Sequence, residues 1–420
     1  MTGNKYSNNL WLQLLGVAVI TAIVMAAYWL VRQPDFLFAA NVDYTRLNRD
    51  YTLMVQDLLA GEGLRTFRYP PVFPLVLAAS LRLGDMFGAS PAVGVLLLLL
   101  STNVLNTLLV FLCARRLWSL PAGLAAPALW LLHPAVWRQF EQPLSGTLFT
   151  TFLLAAVLLL IQALADKRHF AGRAALIGVL LGLAMLTRPI GIALGVITAG
   201  FIALFPENAS FSSRLAGSGA LLLASVLVVI PWELHAYHQL GDVIPLSTGG
   251  TPSILDGLSY AVDPSENRAL HVPPDVRQLQ EDIFERQYEE LSTTGDIVRF
   301  FLAELRTRPG TVFKLFAIKA ARSWYGTDSG TLDQYLLVLQ LPFLMIGAVG
   351  VTVALRREGT IKRIGLLTLI LILYFWGMTT LVLSILRYML PALALLFILA
   401  PGSVAVLIRP VARARLVIKE

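Results

Sequence analysis

Charge and sulfur are both scarce in this sequence. Only 14% of its 420 residues are charged and 56% are hydrophobic, whereas about a quarter of an ordinary soluble domain is charged. That excludes a conventional water-soluble protein. The single cysteine, Cys113, falls inside an apolar run, so no disulfide closes within the chain. The redox compartment stays open, and Cys113 receives no role. A basic stripe is also missing, because the formal charge of +7 is scattered over the ends of apolar runs. Nucleic acid is therefore not expected as a partner. There is no carboxylate cluster built for a divalent ion, so neither a metal nor any other cofactor is expected. No internal repeat is apparent, although many transporters have one.

What the sequence does have is apolar runs, from Leu10 to the C-terminus. A stretch of about 20 such residues crosses a hydrocarbon layer of about 30 Å, and in lipid the backbone must satisfy itself as helix. The expected fold is an all-α polytopic membrane protein with about ten transmembrane helices and amphipathic surface helices in two outer loops. The first run, Leu10–Val31, is too long for a signal-peptide core and lacks a cleavage site, so it reads as a retained span.

Lys and Arg collect in inner loops, which sets the orientation. Lys5 places the N-terminus inside. Span one leads to an outer loop over 32–90, and span two (Pro91–Cys113) returns to Arg115 and Arg116. Span three is Ala122–Trp137 and span four Leu144–Ala165, followed by Lys167, Arg168 and Arg173. The run Ala174–Phe205, about 32 residues, is long for one helix and short for two. We split it at Arg188-Pro189, where proline breaks the hydrogen-bond ladder and an outer corner removes the arginine from mid-membrane.

Span seven (Leu215–Trp232) opens into a second outer loop over 240–330. It holds one amphipathic pattern along Val276, Leu279, Ile283, Tyr288 and Leu291. Another, Val312–Trp324, interleaves Lys314, Lys319 and Arg322 with apolar residues and reads as an interfacial helix. Spans eight to ten are bounded by Arg356-Arg357, Lys362-Arg363 and Arg409, with the C-terminus inside. The chain thus divides into an N-terminal transmembrane module (1–239), the outer segment (240–330) and C-terminal helices (331–420).

Four arginines violate the orientation bias by standing at outer helix ends: Arg68, Arg138, Arg188 and Arg387. A guanidinium fork matches phosphate oxygens, so their convergence would make a phosphate site at the membrane surface. Singly, each has the alternative of snorkelling or pairing with an acid. Asp43 and Asp50, seven residues apart in the first outer loop, are the candidate general bases for an acceptor hydroxyl, and helix capping is the competing role for Asp43. Glu141, near Arg138, either orients substrate or neutralises that arginine. His235 and His238 beside Trp232 lack a conspicuous third metal ligand and fit an aromatic interfacial belt better.

The ordered set of Asp43, Tyr51 with DLLAGEGL, FRYPPVFPLVLA, LTRPIGI, PWELHAYHQLGDVIPLSTGG and SILRYMLPALALL resembles the GT-C glycosyltransferases. The likeness is to the dolichyl-phosphate-mannose protein mannosyltransferase-like group (glycosyltransferase family 39), including its bacterial lipid A aminoarabinose transferase relatives. The resemblance implies a polyprenyl- or dolichyl-phosphate sugar as donor, a glycan, lipid or protein acceptor, and inversion at the sugar. It makes Asp43 the base, and Arg188 and Arg387 donor contacts. Tyr69 and Tyr388, next to Arg68 and Arg387 in the matching motifs, join the substrate-binding set. A short surface helix is implied after Pro70-Pro71. Two departures stand out. Where relatives carry an acid two residues before Leu148-Phe149, this chain has Ser145-Gly146. Where they place the loop acid about four residues before the tyrosine matching Tyr51, Asp43 lies eight before it and Asp50 one.

The expected activity is sugar transfer on the outer face of the plasma membrane. The alternatives are a lipid-linked glycan ligase or polymerase, and a lipid or solute transporter.

Overall fold

The computed structural model describes residues 4–33, 51–86, 91–165, 169–205, 210–262, 271–287 and 289–403. Among them every regular element is helical. Seven helices are long and apolar enough to cross a membrane: Leu10–Arg32, Pro91–Leu117, Ser145–Ala165, Phe211–Leu240, Asp333–Leu355, Gly359–Leu381 and Leu386–Ser403. Three shorter apolar helical stretches, Gly123–Leu132, Phe170–Met185 and Pro189–Leu204, accompany them. The seven spans and the three shorter stretches fall where the ten spans are expected, and the chain is an integral, multi-pass membrane protein.

In chain order the helices are α1 (Asn4–Arg32), α2 (Thr52–Ala60), α3 (Val72–Met86), α4 (Pro91–Leu117), α5 (Leu120–Leu132), α6 (Pro134–Glu141), α7 (Ser145–Ala165), α8 (Phe170–Met185), α9 (Leu194–Leu204), α10 (Phe211–Leu240), α11 (Gly250–Leu258), α12 (Pro274–Arg286), α13 (Thr294–Thr307), α14 (Pro309–Arg322), α15 (Asp333–Leu355), α16 (Gly359–Leu381) and α17 (Leu390–Leu399). Short 3-10 turns occur at Pro189–Gly191 and Leu386–Met389. The centre of the bundle is α17, apolar and buried along its whole length, with α4, α5, α7, α15 and α16 around it.

The divided run behaves as expected. Arg188 is extended, which suits a residue before proline, and Pro189 opens the 3-10 turn that separates α8 from α9. Span three differs from its expectation. It is not one helix over Ala122–Trp137 but two, because His133 is extended and Pro134 restarts the chain as α6. The His133 ring compensates at the break by accepting a hydrogen bond from the Ala135 amide at 3.2 Å. Span seven runs eight residues beyond Trp232, carrying Pro231 within a continuous helix that ends at Gly241 in the left-handed conformation.

Helices α11 to α14, in the segment expected to form the second outer loop, build a small core of their own. Leu258, Tyr260, Val276, Leu279, Ile283, Leu291, Val312 and Leu315 are all buried in it. The apolar pattern is found at Val276, Leu279 and Ile283 of α12, with Leu291 beyond the helix end buried in the same core; Tyr288 lies outside the described residues. Helix α14 is a correction. Lys314 is exposed and pairs with Asp275 at 2.8 Å, but Lys319 and Arg322 are buried, not snorkelling. The apolar side chains left exposed here are instead Val298, Leu302 and Leu305 of α13, with Phe313 of α14. A Thr293–Asp296 capping box starts α13.

Candidate active site

The motif segments, far apart in sequence, are sewn together by backbone. The Val72 amide donates to the Leu186 carbonyl at 3.0 Å, joining the Pro70-Pro71 segment to the Arg188 corner. The Thr248 amide donates to the Phe67 carbonyl at 2.8 Å, and a β-carbon at Gly249 would stand 2.5 Å from the Arg68 carbonyl oxygen, so only glycine admits this approach. Leu246 holds a left-handed backbone, φ 63°, uncommon for a branched residue. It is fixed from α10, where Trp232 Nε1 donates to its carbonyl and the Glu233 carboxylate accepts its amide, each at 2.8 Å. His235 bonds the Leu64 carbonyl at 2.9 Å and packs against Phe67 and Trp232. His235 thus belongs to an aromatic cluster, and among the described residues no three His, Cys, Asp or Glu side chains gather as metal ligands.

On this scaffold a continuous row of side chains forms. Arg68 leans over Tyr69 at 5.7 Å, whose ring lies 4.6 Å from that of Tyr51. The buried Tyr51 hydroxyl donates to Ser145 Oγ at 3.0 Å. Beside Ser145, Gly146 faces the Arg188 guanidinium, since a β-carbon there would lie 2.9 Å from Nη1. Arg188 stacks on Tyr388 with its guanidinium carbon 4.2 Å from the ring centre. Arg387 flanks the same ring at 5.5 Å and pairs with Asp328 at 3.2 Å. Arg188 itself has no ion pair among the described residues.

Both halves of the row are braced from within the bundle. Asn106 donates to the Thr147 carbonyl at 2.9 Å and accepts from Thr151, and Thr147 donates to Gln139 at 2.7 Å, which fixes the start of α7. Tyr374 of α16 donates to the Ile190 carbonyl at 2.5 Å and steadies the turn after Arg188. A small, mainly apolar recess of about 10 Å³, room for roughly one water, lies between Phe73, Leu98, Leu99, Leu144 and Leu148.

The structure thus unites Arg68, Tyr69, Arg188, Arg387 and Tyr388. Arg138 and Glu141 form a separate junction with α1. Glu141 accepts from the Tyr28 hydroxyl and Arg138, both at 2.5 Å, and from Arg32 at 3.3 Å, while Trp29 Nε1 donates to the Phe140 carbonyl. Asp43 and Asp50 lie outside the described residues. Sequence reasoning missed Ser145, Tyr374 and Asp328. Ser145 carried a signal, since it sits at the departure from the family pattern; the other two are placed by contacts that no local spacing reveals.

Burial raises the Glu141 pKa, but the hydrogen bonds from Tyr28 and Arg138 and the charges of Arg138 and Arg32 outweigh it and hold the carboxyl below its usual range. A lowered native pKa gives stability above the unfolded value of about 4.3 that is lost as pH falls through the native value. Thermal unfolding is therefore expected to show a steeper acid-side loss below about pH 4.5 in the native protein than in Glu141→Gln. Parallel curves would remove Glu141 from the junction's energetics.

Residues 68–232 match the sequence model of the family described as dolichyl-phosphate-mannose-protein mannosyltransferase, a span that includes Arg68, Tyr69, Arg138, Glu141 and Arg188. No curated protein matches the chain by sequence. The archaeal oligosaccharyltransferase AglB from Archaeoglobus fulgidus, in complex with an inhibitory peptide and a dolichol-phosphate, superposes with a TM-score of 0.57 at 13% identity. The alignment covers 96% of this chain and 51% of AglB. The same enzyme tethered to an acceptor peptide gives 0.58 at 16% identity, covering 98% and 51%. ArnT from Cupriavidus metallidurans, bound to undecaprenyl phosphate, aligns at 0.42 and 15% identity, covering 92% and 78%, too low a score to argue from. The chain thus spans about half the length of the oligosaccharyltransferase whose fold it shares.

The chain shares the all-helical, polytopic membrane fold of the Archaeoglobus fulgidus oligosaccharyltransferase. The likeness to the dolichyl-phosphate-mannose protein mannosyltransferases carried by the motifs is found again in the family match over residues 68–232.

Proposed function

We propose that the protein is a membrane glycosyltransferase that moves one sugar from a polyprenyl-phosphate donor to an acceptor hydroxyl on the outer face of the plasma membrane. The observation that carries this reading is Arg188: its guanidinium is stacked on Tyr388 with no ion pair among the described residues, beside Arg387 and in one row with Tyr69 and Arg68. Fixed forks of this kind suit a phosphate whose negative charge grows as it leaves.

The reaction is a single displacement. A carboxylate of the first outer loop, Asp43 or Asp50, takes the acceptor hydroxyl's proton as that oxygen bonds to the anomeric carbon. The bond from that carbon to the carrier phosphate breaks with its electron pair, giving the inverted glycoside and a polyprenyl phosphate. Arg188 and Arg387 hold the phosphate, with Arg68 at the rim. The acceptor, whether glycan, lipid or protein, meets the outer segment. Because guanidinia supply the charge stabilisation, transfer is expected to persist in excess EDTA; its abolition would show that a divalent ion does that work.

Mass spectrometry of lipid-linked sugars and surface glycans tests the reading, using cells lacking the protein and the same cells complemented with the native gene or Arg188→Ala. Accumulation of a polyprenyl-phosphate sugar, with one glycan lighter by a single sugar and no rescue by Arg188→Ala, supports it. A whole-glycan mass difference would indicate a lipid-linked glycan ligase or polymerase. Unchanged pools in cells that express the protein would remove the transferase and favour a transporter.

A further inference from the structure

Helix α14 buries two basic side chains where an outer helix has least need of them. Lys319 is fully buried and Arg322 is 3% exposed, although desolvating charge is costly unless its hydrogen bonds are met. Their partners show where that cost is met. Lys319 Nζ donates to the carbonyls of Gly257 (2.8 Å), Val382 (3.2 Å) and Leu381 (3.4 Å). The last two belong to the C-terminal end of α16, the negative pole of that helix. Arg322 donates Nη1 to the Ser384 carbonyl (3.2 Å), Nη2 to the Thr327 carbonyl (2.5 Å) and Nε to Asp333 (3.1 Å). Asp333 in turn accepts both the amide and the hydroxyl of Thr327 at 2.7 Å.

The segment so grasped leads directly to the site. Between the end of α16 and the turn Leu386–Met389 the backbone is irregular, and irregular backbone in a membrane protein needs partners supplied by protein. Lys319 and Arg322 supply them at Leu381, Val382 and Ser384. The Leu386 amide donates to the Gly326 carbonyl at 2.8 Å, and Asp328, next to Thr327, pairs with Arg387. The outer segment therefore grips the Arg387-Tyr388 turn through its backbone on one side and its guanidinium on the other.

We propose that Lys319, Arg322 and Asp333 are positioning residues that hold Arg387 and Tyr388 in register with Arg188 for the carrier phosphate, so that the outer segment shapes the donor site as well as facing the acceptor. This rests on the transferase reading. A purely structural cluster would lower stability and disturb both substrates alike; a positioning cluster acts on the phosphate.

The test uses purified full-length protein, with farnesyl phosphate as the binding probe and separate KM measurements for the polyprenyl-phosphate sugar and the acceptor. Lys319→Met is expected to weaken farnesyl phosphate binding about ten-fold, within the range of one lost charge-assisted hydrogen bond. Donor KM should rise in step while acceptor KM stays within about two-fold, and Lys319→Arg should recover most of the loss. Thr327→Val is half-buried and outside the cation pair, so it serves if Lys319→Met does not fold. It removes the hydroxyl bond to Asp333 and is expected to raise donor KM a few-fold while acceptor KM stays within about two-fold. Equal rises in both KM values, or unaltered farnesyl phosphate binding in Thr327→Val and in a folded Lys319→Met, would overturn the positioning role. If the native protein itself neither binds farnesyl phosphate nor transfers sugar, the transferase reading falls, an outcome distinct from native binding that the variants leave unchanged.

Discussion

Arg188→Ala is expected to reduce transfer about 100- to 1,000-fold, the usual consequence of removing one preorganised donor from a developing anion. The charge change dictates where the loss appears. A donor phosphodiester carries one negative charge, and the polyprenyl phosphate that leaves approaches two, so the guanidinium binds the transition state more strongly than the ground state. The deficit should fall mainly in kcat, with a smaller rise in donor KM. Arg188→Lys keeps the charge but loses both the planar fork and the stack on Tyr388 at 4.2 Å, and should recover only part of the activity. Stability should change little, because the guanidinium anchors no ion pair among the described residues and its described neighbours are the Tyr388 ring and Gly146. Steady-state kinetics with an unfolding curve on the same preparation decide the matter: full activity in Arg188→Ala would remove the phosphate site from this corner.

Arg188 also illustrates how far the sequence could be read. Its corner was legible because three constraints coincide there: an apolar run of awkward length, a proline, and a charge that cannot stay at mid-membrane. The break at His133 was not legible, since Pro134 lies inside an apolar run where many transmembrane helices tolerate proline. The amphipathic face of α12 was read correctly because its neighbours are apolar and periodicity alone describes it. The same method misjudged α14. Periodicity reports which side chains share a face but not what they meet, and Lys319 and Arg322 meet carbonyls more than 60 residues away in sequence. The outer arginines were singled out by a charge rule, yet that rule could not separate Arg188 and Arg387, which share Tyr388, from Arg138, which Glu141 neutralises at 2.5 Å. Sorting them took the packing of α6 against α1.

Asp43→Asn is expected to lower kcat about 100- to 10,000-fold, the range of a general base in proton transfer, while Asp50→Asn stays within a few-fold. Both residues lie outside the described part of the structure, so chemistry has to choose between them, and asparagine is the informative replacement. It caps a helix about as well as aspartate but cannot accept a proton at neutral pH. If Asp43 were only a cap before Thr45, Asp43→Asn would keep both stability and rate. If it is the base, stability is kept and rate is lost, and the acid limb of the kcat/KM profile, which reports the base of the free enzyme, disappears with it. The donor site should be untouched, so farnesyl phosphate affinity should match the native protein, in contrast to Lys319→Met, where affinity falls. A loss confined to Asp50→Asn would transfer the role to the residue beside Tyr51. That would put proton removal one residue before Tyr51 in the chain, whose hydroxyl donates to Ser145, the neighbour of the Gly146 that faces Arg188.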